Sequence, residues 1–215
     1  MVSIDTALQF VAVSAVLALA PGPDNMFVLM QSAAGGARKG IAVTLGLCTG
    51  LVVHTAAVAF GVAAIFQASA AAFTALKIAG AAYLLYLAYG AFTSGMGASP
   101  GNEGTAHPDK DTIGLDKGLY QRGILMNVTN PKVALFFLAF LSQFVKDGAG
   151  PAPLQILQLG ALFMITTLVI FSLVAYTAGR LSRWLQRSPK AVRNMNRIAG
   201  VVFIGLAARL ITAQR

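Results

Sequence analysis

Long apolar stretches separated by short basic or glycine-rich turns dominate this chain. From Thr6 to Ala37 the only charge is Asp24, and from Gly40 to Leu76 there is none. A membrane-spanning helix needs about 20 mainly apolar residues. The first stretch, Ile4 to Ala34, exceeds one straight crossing, so it predicts a span interrupted near its middle. The run from Gly40 is also too long, which places a tight turn near Gln67 to Ala70. Span two is then Ile41 to Phe66 and span three Ala72 to Phe92. Span four follows at Leu119 to Val145, span five at Leu154 to Gly179 and a short span six at Ile198 to Ala213.

Two interruptions stand out against this pattern. Pro21, Gly22 and Pro23 fall inside span one, and Pro131 falls inside span four. Proline lacks a backbone N–H and glycine loosens the chain, so a helix entering either point bends or breaks. A break strands carbonyls on one side and N–H groups on the other. An ionisable residue follows each: Asp24 after Pro23, Lys132 after Pro131. Charge at a helix break within a membrane is costly and marks a functional site.

The polar segments complete the plan. Residues 94–118 hold glycine, proline, serine and acidic residues and read as a flexible loop. From Arg180 to Arg197, basic residues interleave with Leu181, Trp184 and Leu185, which reads as an amphipathic segment at the membrane interface.

Composition agrees with a membrane protein: 57% of the 215 residues are hydrophobic and 11% charged. The net charge of +9 raises nucleic acid as a partner. That reading fails because the basic residues flank apolar spans and form no patch on a polar domain. They gather instead after spans one, three and five. By the positive-inside rule those loops are cytoplasmic and both termini periplasmic. Ala18, Leu19 and Ala20 look like a leader cleavage site, but Asp5 precedes them, no lysine or arginine does, and Pro21 follows; a removable leader is not expected. A single cysteine, Cys48, excludes an internal disulfide or a paired-thiol motif. With His54 and His107 as the only histidines, no metal cluster is expected, nor any cofactor.

The halves echo one another. Lys77-Ile78-Ala79-Gly80 opens span three and Arg197-Ile198-Ala199-Gly200 opens span six, while Pro23-Asp24 answers Pro131-Lys132. A repeat of three spans must reverse its sense in the second copy. The expected fold is therefore an all-α integral membrane protein of six transmembrane helices in two inverted three-helix repeats, 1–93 and 119–215, with spans one and four broken at proline motifs.

Asp24 is the first candidate for chemistry. A carboxylate there exchanges a proton, binds an ammonium, or forms a fixed ion pair with Lys132. Lys132 begins a resumed helix, where free N–H groups and the ammonium together attract an anion such as a carboxylate. Asn25, Asn127 and Asn130 either cap the broken backbone or touch substrate. Gln31 shares a face with Asp24, as Asn127 does with Asn130. His54, mid-span, is either a proton relay or a packed, hydrogen-bonded histidine. Gly36 with Gly40, and Gly46 with Gly50, permit close helix contact.

From Ala20 to Asn25, then Gly35 to Gly40 and Gly46 to Gly50, the sequence resembles the first half of the LysE/RhtB family of amino-acid exporters. Asn127 to Lys132, followed by Leu135 to Phe144, is similar to that family's second signature, with Ser142 where a proline is frequent. The resemblance implies a bacterial inner-membrane, multi-pass exporter of an amino acid or close derivative. It further implies coupling to protons, a possible homodimer and no enzymatic role. A metal or small-ion exporter on a related helical plan is the alternative; it would call for clustered histidine, cysteine or acidic residues.

Overall fold

The computed structural model describes residues 2–20, 22–68, 70–93, 116–146 and 148–212. Pro21 and nearly all of the expected loop 94–118 lie outside the described residues, as do the side chains of Ser142 and Leu185. The described chain is helical: α1 Ile4–Leu19, α2 Pro23–Gly35, α3 Ala37–Ala68, α4 Ala70–Thr93, α5 Lys117–Val128, α6 Pro131–Phe140, α7 Ala152–Arg187 and α8 Pro189–Thr212, with a 3-10 turn at Leu141–Phe144 after α6.

Both expected breaks occur. The axes of α1 and α2 differ by 61° across Ala20 to Gly22. Gly22 is the N-cap of α2 and Pro23 occupies its first position, where the missing N–H costs nothing. Between α5 and α6, Asn130 is the N-cap and Pro131 plays the same part. Gly36 ends α2 with φ 84°, a left-handed backbone that suits glycine.

Among the described residues, three helices are long and apolar enough to cross a membrane: Ala37–Gly61 within α3, Ala152–Leu181 within α7 and Lys190–Thr212 within α8. The bent α1–α2 pair makes a fourth if counted as one span. The expected six crossings are thus not all recovered by this measure: α4 is not among those found, nor are α5 and α6, which are only 12 and 10 residues long on either side of their break.

The basic stretch 180–197 does not form a helix of its own. Arg180 to Arg187 continue α7, the helix breaks at Ser188, and Lys190 to Arg197 belong to α8. Arginine and lysine are good helix formers, so nothing local ends α7 when the apolar run stops. Likewise Lys77 and Arg197 do not open their helices. Each lies about two turns inside, on α4 and α8, which pack against one another.

An aromatic core joins α1, α6 and α7. Phe10 meets Phe144 edge-on at 5.1 Å, Phe136 meets Phe140 at 4.8 Å, and Phe137 meets Phe163 at 5.1 Å. Such rings combine large apolar burial with preferred edge geometry. They fix α6, and with it the start of that helix, against α1 and α7. On the other side α3 packs on α5 through glycines. A Cβ at Gly46 would strike the Tyr120 carbonyl, and one at Gly123 would come 3.1 Å from the Gly46 Cα.

Candidate functional site

The two breaks converge. Asp24, second residue of α2, is only 8% exposed. Its Oδ1 accepts from Asn130 Nδ2 at 2.8 Å and its Oδ2 from Asn127 Nδ2 at 3.1 Å. The free N–H end of α2 lies at the same carboxylate and favours its negative charge. Asn127 reaches it because Gly50 leaves room: a Cβ at Gly50 would come 2.7 Å from the Asn127 Cβ and 2.7 Å from its Oδ1. That Oδ1 has no hydrogen-bond partner among the described residues.

Lys132 stands at the first turn of α6, as the sequence predicts, but its ammonium serves another helix end. Nζ donates to the carbonyls of Ala20 at 3.1 Å and Leu17 at 3.4 Å and lies 5.8 Å from the centre of the Phe203 ring. Asp24 and Lys132 thus form their hydrogen bonds with other partners rather than with each other. The two asparagine amides hold the carboxylate, and the carbonyls stranded at the end of α1 hold the ammonium. An ammonium has three N–H donors, and those two bonds leave one.

Asn25 clamps the α1–α2 break from within. Its Oδ1 accepts the Gly22 N–H at 2.9 Å, while Nδ2 is shared among the carbonyls of Ala18, Leu19 and Ala20 at 3.2, 3.4 and 2.8 Å. Asn130 both caps and binds: its Oδ1 accepts the Lys132 N–H at 3.0 Å while its amide nitrogen bonds Asp24. Asn127 binds Asp24 rather than capping.

His54 is buried, with Nε2 3.0 Å from the Asn127 carbonyl and its ring 5.8 Å from that of Phe137. This is the packed, hydrogen-bonded arrangement, one residue removed from Asp24 through Asn127. Gln31 lies two turns along α2 from Asp24, partly buried and outside the cavity lining. Pro21 is outside the described residues.

A small cavity of about 40 Å³ opens between these groups, with Gly22, Asp24, Asn127, Asn130 and Lys132 in its wall. Leu17, Leu51, Val133, Phe163 and Phe171 supply apolar surface. Thr167, on α7, also lines it and was not anticipated from sequence. The available signal was the Thr166–Thr167 pair in the middle of an apolar run. The arrangement offers a carboxylate, an ammonium and two amides at one point, which suits a small dipolar solute. Among the described residues, no group of three or more His, Cys, Asp or Glu side chains is placed to hold a metal ion.

Comparison with known proteins adds to this geometry. A family model described as LysE type translocator matches residues 15–214. A homoserine/homoserine lactone efflux protein of Salmonella typhimurium is 31% identical over 208 residues, 95% of this chain and 95% of that protein. A leucine efflux protein of an Enterobacter species is 28% identical over 195 residues, 90% of this chain and 89% of that protein. An uncharacterized membrane protein of Pseudomonas aeruginosa is 31% identical over 195 residues, 91% of this chain and 89% of that one. No solved structure gives a significant match.

Proposed function

The chain belongs to the LysE type translocator family, and from that premise we propose that it exports an amino acid or close derivative from the cytoplasm in exchange for protons. It is a membrane transporter, not an enzyme. Efflux of homoserine and of leucine, named for two relatives, supports amino acids as the class of cargo.

The observation that carries the reading is the single cavity lined by both Asp24 and Lys132. A zwitterion presents an ammonium and a carboxylate a few bonds apart and needs both charges answered. Asp24, whose oxygens each retain a lone pair beyond the asparagine bonds, takes the ammonium or, alternately, a proton. Lys132 with the N-terminal turn of α6 takes the carboxylate. With room for roughly three water molecules, the cavity is too small for a whole amino acid. Substrate entry therefore requires the walls to part.

In this proposal the six crossings are α1–α2, α3, α4, α5–α6, α7 and α8, arranged as inverted repeats 1–93 and 119–215 joined by 94–118. The pairing of α3 with α7 and of α4 with α8, equivalent helices of the two halves, supports such an arrangement. The halves rock about the site in the inner membrane, with the basic ends at Arg38–Lys39 and Arg180–Arg197 in the cytoplasm and both termini periplasmic.

The test is efflux of labelled amino acids from proteoliposomes under an imposed pH gradient. Asp24→Asn abolishes proton-driven efflux, and Lys132→Ala weakens it. If both variants transport like the unaltered protein, the assigned roles are wrong.

A further inference from the structure

Threonine hydroxyls on the helices of this chain follow a habit. Those of Thr44, Thr49, Thr55, Thr166 and Thr177 each donate to the carbonyl four residues earlier, at 2.8, 3.0, 2.7, 2.8 and 2.7 Å. Bonding back to its own helix is how a hydroxyl is accommodated among apolar neighbours. Thr167 departs from it. Its side chain is 5% exposed, yet Oγ1 has no hydrogen-bond partner among the described residues. Thr166, beside it on the same helix, makes the usual bond to Leu162.

A buried polar group left unpaired is costly and calls for an explanation. Here the position supplies one, because Thr167 lines the cavity that also holds Asp24 and Lys132. The wall nearest it in sequence, Phe163 and Phe171 on the same helix, is apolar. Between two phenylalanines of α7, a hydroxyl that parting of the walls would uncover is suited to tell a substrate bearing a hydrogen-bonding group from one without it.

We propose that Thr167 is a specificity-determining residue, whose hydroxyl hydrogen-bonds a hydroxyl on the side chain of the transported amino acid. The inference rests on the amino-acid reading above: once Asp24 and Lys132 engage the ammonium and carboxylate, the substrate's side chain is what remains for α7 to meet. A hydroxylated side chain satisfies Thr167. An aliphatic one of the same length fills the space and leaves the hydroxyl unpaired.

Homoserine and 2-aminobutyrate have the same carbon chain and differ by one hydroxyl, so their efflux from proteoliposomes isolates this contact. The unaltered protein is expected to favour homoserine by about tenfold, the scale of one well-made hydrogen bond. Thr167→Val, which keeps the branched shape without the hydroxyl, removes the preference by slowing homoserine relative to 2-aminobutyrate, whose passage no longer leaves a hydroxyl unpaired. Thr167→Ser, which keeps the hydroxyl, retains the preference. If Thr167→Val transports with the original preference, the inference is overturned while the amino-acid reading stands. If the unaltered protein moves no amino acid from a wider panel, that reading falls and the inference with it.

Discussion

Asn130 donates its side-chain N–H to Oδ1 of Asp24 at 2.8 Å, across 106 positions of sequence. The N-cap of one broken helix is thereby bonded to the first turn of the other. Both ends of the amide are occupied, because its oxygen accepts the Lys132 N–H at 3.0 Å. Serine or aspartate would cap α6 equally well, but neither would offer the carboxylate an amide N–H.

Replacing Asn130 by aspartate separates these roles. Asn130→Asp keeps the cap acceptor, loses the donor and sets a second carboxylate against Asp24. A hydrogen bond to a charged group contributes about 1.5–3 kcal/mol, so transport should fall by roughly 10- to 100-fold while helix content by circular dichroism is retained. Normal efflux from Asn130→Asp vesicles would show that the site does not depend on this donor.

The glycines of α3 should divide by what they face. Gly46→Ala sets a methyl group against the backbone carbonyl of Tyr120, which cannot move without separating α3 from α5, so folded yield and thermal stability drop. Gly50→Ala instead meets the side chain of Asn127 at 2.7 Å. That side chain can turn away, but only by leaving Asp24. Overpacking costs typically about 1–3 kcal/mol, and the expected signature of Gly50→Ala is impaired transport with a smaller loss of stability than Gly46→Ala. Efflux and melting temperature measured on both variants decide it.

The sequence carries the breaks well because their cause is local. Proline has no N–H to give, and Pro23 and Pro131 each sit at the first helical position after a cap. Close packing at Gly46 and Gly50 is legible for a similar reason, since a residue without a side chain marks where helices can approach. What the sequence does not reveal is how partners are chosen once the breaks meet. Opposite charges at Asp24 and Lys132 invite an ion pair, yet two asparagines and the stranded carbonyls of α1 compete for the same groups and prevail. Those carbonyls belong to Leu17 and Ala20, whose side chains give no hint of it. Thr167 escapes for a related reason: a hydroxyl on an apolar helix ordinarily bonds its own backbone, and only the fold reveals one that does not.

Lys132→Gln and Lys132→Ala test whether the lysine serves substrate, helix end, or both. Without the ammonium, Leu17 O loses a donor and Ala20 O keeps only Asn25. An under-bonded buried carbonyl costs about 1–3 kcal/mol, so Lys132→Ala should lower the unfolding midpoint. Glutamine offers a neutral donor and should recover part of that stability. If the lysine also holds the substrate carboxylate, Lys132→Gln should still show a raised apparent KM. A variant with restored stability and unchanged KM would leave Lys132 a structural clamp alone.

The sharpest energetic test concerns the carbonyl that two side chains share. Ala20 O accepts from Asn25 Nδ2 at 2.8 Å and from Lys132 Nζ at 3.1 Å. Either donor alone still satisfies it, whereas losing both leaves it bare at the bend between α1 and α2. Asn25→Ala by itself also frees the Gly22 N–H and the carbonyls of Ala18 and Leu19, and should destabilise the protein by about 1–3 kcal/mol. Combined with Lys132→Ala, the loss should exceed the sum of the single losses, because the second substitution removes the last partner of Ala20 O. Groups that share a partner typically couple by about 0.5–3 kcal/mol. A cycle of the unaltered protein, both single variants and the double variant, followed by thermal unfolding in one detergent, measures the coupling directly. Simple additivity would mean that the two side chains act on separate parts of the break and that Ala20 O is not where they meet.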